Sequence, residues 1–420
     1  MYSQYLSDPE IKALTDDAAL VRHMLRVEVA LAQVQARLGI IPADSAREIS
    51  EKLTAFEPDP ANLTAGTLKN GIPTIPLLAL AKQHLSPEAA DHLHWGATSQ
   101  DIMDTATVLI IRETSAVMDG RLKALITNLR TLAEKHRQTP TVARTRTQQA
   151  VPITFGQKVD QWYQPLERHR QRLAELRPRL LIVQLGGAGG DLSALGERGT
   201  EVARDLAREL DLGYVGTWHS QRDSIVEWGS WLALVAGSLG KMAGDILQLS
   251  QTEVGEVQER SAGGGSSTMP HKNNPVLSEA IVALARYAGQ LNAGLFPALF
   301  HQQERDGAAW ILEWLSLPPL MIASGTALRH ALTISREIRI DPAAMQRNLD
   351  KLNGLIYSER ASFILAERVS RRDAKELVER ACALVRTEGI HLKEALSRVA
   401  PDIRVDWATV LESGNTAGLQ

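Results

Sequence analysis

The sequence predicts an all-α fold of three consecutive parts. Apolar residues recur at helical spacing through several runs of more than twenty residues. Hydrophobic residues make up 44% of the chain and aromatic ones only 5%, which suits a Leu, Ala, Val and Ile core packed between helices better than a sheet-rich one. No convincing series of alternating strands occurs. The expected parts are an N-terminal helical domain over 1–95, a long-helix bundle over 96–341 and a small C-terminal helical domain over 342–420.

In chain order, 15–39 is periodic and closes at Gly39, a plausible cap, and a short helix follows to Leu53. Arg22, Arg26 and Glu28 on the first helix read as surface or inter-helix charges. Residues 62–75 are rich in Gly, Thr and Pro and read as irregular, with a helix from Pro76 to His84. A long helix runs from about Asp104 to His136, another from Gln157 to about Leu176, and a shorter amphipathic one covers 197–212. Between the last two lies a glycine-rich turn, 184–190, read as serving close packing or a bend. Asp223 launches a helix that leads into a polar loop at 263–275, and the next helix begins at Val276. After an interruption at 301–307, helix resumes from Trp310 towards Pro318 and Pro319. From Asp341 onward the segments shorten, which marks the tail domain.

A chain of 420 residues with 46 basic and 49 acidic side chains has a formal charge of -3, and that balance calls for neither nucleic acid nor an acidic membrane as partner. With Cys382 as the one cysteine, no intrachain disulfide or thiolate cluster can form. The opening residues do not read as a targeting leader, and no run of about eighteen uncharged apolar residues is present. A soluble, cytoplasmic protein is expected. Helices of roughly thirty residues are long for an isolated monomer, so association with copies of the same chain is expected too.

Three clusters carry the chemistry. The first, 92–101, reads His-Leu-His-Trp-Gly-Ala-Thr-Ser-Gln-Asp at the start of a long helix. Thr98 and Ser99 stand where free N–H groups and the helix dipole favour an anion, or they simply cap the helix with Asp101. His94 beside Gly96 is an available proton carrier or a packing residue. The second cluster, 143–156, places Arg144 and Arg146 one residue apart, followed by Gln148, a set suited to bidentate recognition of carboxylates. The third is the loop 263–275, Gly-Gly-Gly-Ser-Ser-Thr-Met-Pro-His-Lys-Asn-Asn-Pro. Its glycines admit close approach of the main chain, and hydroxyls, an imidazole, an ammonium and amides follow within a few residues. It lacks the Gly-Lys-Ser/Thr of a phosphate loop. Arg305 reads as a further anion ligand or as half of a salt bridge with Glu304 or Asp306. No metal-ligand spacing and no dinucleotide fingerprint is present, so neither metal nor cofactor is expected.

Taken together, the clusters resemble the three signature regions of the fumarase/aspartase superfamily, most specifically in Gly-Ser-Ser-Thr-Met-Pro-His-Lys-Asn-Asn-Pro from Gly265 to Pro275. The resemblance covers nearly the whole chain. It implies an almost all-helical, three-domain subunit and a homotetramer with a twenty-helix core, whose active sites are each assembled from three subunits. It also implies proton exchange at a carbon next to a carboxylate, with addition or departure of a group at the neighbouring carbon. Carried over by position, Ser266 exchanges the proton, with Ser267 as its alternate, and Lys272 and Asn274 bind substrate carboxylates. His94, Thr98 and Ser99 match the first region; Thr145 and Gln148 match the second.

One departure narrows the branch. Members that move water or an amine carry a histidine in Thr-His-x-Gln, whereas this chain reads Thr145-Arg146-Thr147-Gln148. Water and amines need a proton partner, because the departing anion is otherwise very basic. A carboxylate, whose conjugate acid has a pKa of about 4, needs none. The resemblance therefore points to the bacterial 3-carboxy-cis,cis-muconate cycloisomerase branch, whose small tricarboxylate substrate supplies its own attacking carboxylate in aromatic-compound breakdown. Arg144 or Arg146 would then hold a carboxylate. The alternatives are an adenylosuccinate lyase-like elimination releasing fumarate, which would need His94 as a replacement acid, and a catalytically silent relative of the same fold.

Overall fold

The computed structural model describes residues 2–259, 265, 268–269 and 271–411. Its principal elements are α1 (Asp17–Arg37), α2 (Ala43–Thr54), α3 (Ser99–Lys135), β1 (Pro140–Thr145), β2 (Gln148–Thr154), α4 (Phe155–Leu180), α5 (Gly199–Leu210), α6 (Asp223–Leu249), β3 (Val257–Gln258), α7 (Val276–Leu295), α8 (Gly307–Glu337), β4 (Arg339–Ile340), α9 (Pro342–Asp350), α10 (Ser358–Ala366), α11 (Arg371–Glu388) and α12 (Leu392–Val399). The fold is predominantly helical, as the sequence predicts.

Local chemistry sets many of the boundaries. Asp16 caps α1 by accepting from the Ala19 N–H at 2.9 Å, and Gly39 beyond its end has φ 67°. Ser370 caps α11, and Gly389 closes it with φ 70° and an N–H donated to the Val385 carbonyl. Thr154 and Gln157 satisfy each other's N–H groups at the start of α4, a reciprocal cap that begins the helix at Phe155. Residues 62–75, expected to be irregular, instead include a helix at Thr64–Asn70 that ends on Gly71 at φ 75°. The prolines at 318 and 319 do not stop α8. Leu317, Leu320 and Met321 around them are buried, so packing carries the helix through a turn that lacks two N–H donors.

The chain divides into two compact units, Met1–Lys123 with Glu167–Gly240 and Ala280–Arg329, and Ala124–Leu166 with Lys241–Glu279 and His330–Gln420. In the first, α1 packs on α2 and α5 around Met24, Val27, Leu31, Ile49, Leu53 and Leu206. A buried ion trio ties three of its elements together. The Arg222 guanidinium, stacked 4.7 Å from the Trp218 ring, donates to Asp104 at 2.6 and 3.1 Å and to Glu313 at 2.7 and 2.6 Å. Asp104 also accepts from the Trp310 indole at 3.0 Å.

The second unit holds a β-hairpin that helical periodicity does not predict. Strands β1 and β2 pair antiparallel from Pro140↔Thr154 to Thr145↔Gln148, with a bulge between Ala143 and Arg144. Arg146 and Thr147 form the two-residue turn, at φ 49° and 69°. Two positive angles suit the twist of a tight hairpin, but the turn is normally built with Asn and Gly. Val142 packs into a core with Leu349, Ile356, Leu365, Leu392 and Leu396. The short pair β3–β4, Val257↔Ile340 and Gln258↔Arg339, precedes α9.

Helices α6 and α8 are long and apolar enough to cross a membrane by length and composition, yet 44% and 61% of their apolar windows are buried inside the chain, as in core helices of globular proteins.

Candidate active site

The first cluster is shaped by one buried carboxylate. Asp101, in the first turn of α3 and fully buried, accepts from the Thr98 N–H at 2.9 Å, which closes half of a capping box. Its oxygens also accept from the N–H groups of Gly186 at 2.8 Å and Gly187 at 2.9 Å, and lie 2.8 Å from His219 Nε2. The glycine-rich turn is thus a cradle for Asp101. A Cβ on Gly186 would lie 2.6 Å from Thr217 Cγ2 and 2.9 Å from His219 Cε1, and Gly187 has φ 68°. Asp101 is fully engaged and acts as a strut. No hydrogen bond from the Thr98 or Ser99 hydroxyl to the described residues competes with an incoming group. Arg305 is moored at the same helix start. Its Nε donates to Gln100 Oε1 at 2.8 Å and its Nη2 to the Ala188 carbonyl at 3.2 Å, while Gln100 in turn donates to the His219 carbonyl at 2.9 Å. Neither Glu304 nor Asp306 pairs with Arg305 among the described residues; Asp306 caps α8 through the Ala308 and Ala309 N–H groups.

His94 lies in the turn before α3 at φ 67°, an uncommon angle for a histidine. Its Nδ1 is 2.6 Å from Glu28 Oε1. Glu28, expected as a surface or inter-helix charge, is buried at 1% side-chain exposure and belongs to this group. Burial alone pulls the imidazole below its ordinary value of 6.5; the Glu28 charge and hydrogen bond, with Asp101 behind them, outweigh that and raise it. No described residue hydrogen-bonds its Nε2.

The second cluster is the hairpin. Thr145, Arg146 and Gln148 sit exposed at its tip. Arg144 does not share that exposure: its guanidinium forks onto Glu256, with Nη2 2.6 Å from Oε1 and Nη1 3.1 Å from Oε2. Of the two arginines, Arg146 is the one whose fork no described residue occupies.

The third cluster is described in part. Ser266 and Ser267 lie outside the described residues. Gly265 bridges Asn273, whose side chain donates to the Glu259 carbonyl at 2.9 Å. The Glu259 carboxylate accepts from the N–H groups of Leu277 at 2.8 Å and Ser278 at 2.9 Å and from the Ser278 hydroxyl at 2.6 Å, so it caps α7. Lys272 is exposed and Asn274 half-buried. The structure therefore gathers His94, Thr98, Ser99 and Arg305 in the first unit, and presents Thr145, Arg146, Gln148, Lys272 and Asn274 from the second. Glu28, Gln100, His219 and Glu256 carry parts of this geometry that sequence reasoning missed. Among the described residues no group of three or more His, Cys, Asp or Glu side chains is placed to hold a metal ion.

Comparison with known proteins adds to this geometry. A profile of the lyase family matches residues 9–288. The chain is 42% identical over 388 residues to 3-carboxy-cis,cis-muconate cycloisomerase of Pseudomonas aeruginosa, covering 91% of this chain and 84% of that one. It is 40% identical over 383 residues to trans-aconitate decarboxylase 1 of Mycosarcoma maydis, covering 90% and 78%. The crystal structure of the 3-carboxy-cis,cis-muconate lactonizing enzyme from Pseudomonas putida superposes with a TM-score of 0.94 at 39% identity, covering 100% of this chain and 96% of that one.

Proposed function

We propose a function on one premise: the chain belongs to the lyase family of fumarase and aspartase. It is a cycloisomerase that interconverts 3-carboxy-cis,cis-muconate and 4-carboxymuconolactone in protocatechuate breakdown. The observation that carries this reading is Arg146 at the hairpin tip, where relatives that eject water or an amine place a proton-handling histidine. Arginine stays charged near neutrality and cannot shuttle a proton, so the group it serves must arrive and leave as an anion. A substrate carboxylate does so.

In the forward direction one carboxylate oxygen of the substrate adds to the neighbouring double bond. The C–O bond forms, and the π electrons move onto the adjacent carbon and its carboxylate, giving an aci-carboxylate. Ser266 then delivers a proton to that carbon, with Ser267 as the alternate donor, and the alkoxide left behind takes a proton from solvent to complete the cycle. The attack is intramolecular, so holding the chain in reach supplies much of the acceleration. Developing charge on the aci-carboxylate is met by the Thr98 and Ser99 hydroxyls, the N–H groups at the start of α3, Arg305 and the Nε2–H of a protonated His94. Thr145, Arg146, Gln148, Lys272 and Asn274 hold the other carboxylates. Arg144, already forked onto Glu256, supports them as a strut. Lys272 lowers the cost of a serine alkoxide.

The same reading includes a soluble cytoplasmic homotetramer, three domains at 1–95, 96–341 and 342–420, and active sites shared between copies. Loss of the conjugated-diene absorbance of 3-carboxy-cis,cis-muconate on adding purified protein tests the activity, with adenylosuccinate and trans-aconitate as comparison substrates. Turnover of adenylosuccinate with no change in the muconate would replace this function by the elimination. Sedimentation of the active species tests the assembly; an active monomer would refute it.

A further inference from the structure

We propose that Glu256 is a positioning residue that sets the geometry of two substrate-binding clusters at once, holding the Arg146 hairpin through its side chain and leading into the Lys272 loop through its main chain. The proposal rests on the reading above, in which the hairpin tip meets the substrate.

Glu256 is fully buried, and its two oxygens are spoken for by side chains from two separate elements. Oε1 accepts from Arg144 Nη2 at 2.6 Å and from Asn348 Nδ2 of α9 at 2.7 Å. Oε2 accepts from Arg144 Nη1 at 3.1 Å and from the Thr141 hydroxyl at 3.3 Å. A buried ion pair is by itself weak evidence for anything but burial, and three further observations make this one specific. Arg144 lies at the β-bulge, two residues before the tip, where a fixed side chain decides how the turn is aimed. The tip itself is costly: Arg146 and the β-branched Thr147 both hold positive φ, a conformation that persists only where the flanking structure over-determines it. The Glu256–Arg144 fork and the Thr141 bond supply that constraint on β1.

The third observation is what the main chain does. The Glu256 carbonyl accepts from the Asp341 N–H at 3.0 Å, and Asp341 caps α9, the helix that returns Asn348 to the Glu256 carboxylate. Three residues on, Glu259 caps α7 and holds Asn273, the neighbour of both Lys272 and Asn274. One residue thus has its side chain under the second cluster and its backbone at the entrance to the third. Moving it displaces both sets of carboxylate ligands.

The test is a double-mutant cycle on kcat/KM for 3-carboxy-cis,cis-muconate with Glu256→Gln, Arg146→Ala and the pair. The glutamine keeps the volume and an acceptor for Asn348 but places an NH2 against Arg144. We expect Glu256→Gln alone to lower kcat/KM by about 10- to 100-fold, the scale on which misplacement of a binding group acts. In the Arg146→Ala background it should cost at least about threefold less than in the parent, the remainder acting through the hairpin's other polar residues and through Lys272 and Asn274. The same factor in both backgrounds overturns the proposal alone. A fully active Arg146→Ala overturns the tip reading and this proposal with it. Asn348→Ala, which removes one hydrogen bond to the carboxylate and one to the Val254 carbonyl, covers the case in which Glu256→Gln does not fold, and should show the same smaller cost in the Arg146→Ala background. Amide exchange over 140–154 should quicken while that of α1 and α2 stays unchanged, and a hairpin as protected as before would overturn the proposal independently of activity.

Discussion

Asp101 and Glu256 are both fully buried carboxylates, each under one of the candidate clusters, and they hold those clusters by different means. Asp101 is gripped mainly by main-chain N–H groups, those of Thr98, Gly186 and Gly187, with His219 as the closest side-chain partner. Glu256 is gripped by side chains, Arg144, Thr141 and Asn348. A backbone cradle is fixed by the course of the chain and tolerates little substitution at its glycines. A side-chain cradle depends on residue choice, and it supports a tip whose own backbone is strained. The first cluster is therefore a helix start held by the backbone, while the second is a hairpin arm held by side chains.

The comparison breaks most visibly at Asp101. Asp101→Ala strands several buried donors, and we expect a loss of about 3–5 kcal/mol in denaturant unfolding with no recoverable activity. A variant as stable as the parent would mean that Asp101 is no strut.

Next in size are the reacting groups. Ser266→Ala, which removes the proposed proton donor, and His94→Ala, which removes a proposed donor to the developing charge, should each lower kcat by at least about 100-fold. For the serine, substrate affinity measured separately should stay within a few-fold, since only proton delivery is lost. Arg146→Ala should act on the other side of the comparison, mainly through KM. Arg146→Lys should retain part of the binding by keeping the charge while losing the fork, and Arg146→His should not speed lactone formation at neutral pH. An Arg146→His variant faster than its parent would show that the arm needs a proton carrier after all.

The first cluster should also be the pH-sensitive one. His94 binds its proton more tightly in the folded chain than its ordinary value of 6.5 implies. The Glu28–His94 pair therefore contributes stability that is fully present below that ordinary value and is lost as pH rises through the raised folded value. Activity should fall over the same interval if, as proposed, the protonated form meets the charge on the aci-carboxylate. His94→Gln should flatten the stability difference between acid and alkaline buffer, and a pH slope unchanged in that variant would assign the titration elsewhere.

The smallest effect is at the tip. Thr147→Gly removes a β-branched residue from a left-handed position, and a gain of up to about 1 kcal/mol in unfolding free energy is expected, with a few-fold lower kcat/KM as the arm loosens. A destabilised variant would show that the turn is unstrained.

Much of this is legible in the sequence, for identifiable reasons. The long helices announce themselves because their apolar spacing persists over many turns, and Thr98, Ser99 and Asp101 read as a helix start because capping is local chemistry. Arg305 reads as an anion ligand or a salt-bridge partner, and its mooring on Gln100, 205 positions away, leaves no local trace. The hairpin was missed because its strands are short and its turn is Arg146-Thr147, with neither glycine nor asparagine to mark it. Glu28 and Glu256 left no local trace. Their partners lie 66 and 112 positions away, and a glutamate in a helical or turn context reads as solvated unless the fold brings a cation to it.

The trio of Arg222, Asp104 and Glu313 has a bearing on acid tolerance. Two carboxylates share one guanidinium inside the protein, so the group has room for one proton. Burial raises the Glu313 pKa above its ordinary 4.5, only partly offset by the charge and hydrogen bonds of Arg222. As pH drops through that raised value, the folded chain takes up a proton that the unfolded chain does not yet bind, and the uptake favours the fold. Asp8, whose pKa is lowered, works the other way: burial alone would raise it, but Arg121 and the Ile11 N–H outweigh that, so its stabilisation fades on acidification. The interior thus holds a proton sponge set against the usual acid-labile pairs, and the first stage of acidification should cost this protein less stability than its surface carboxylates alone would suggest.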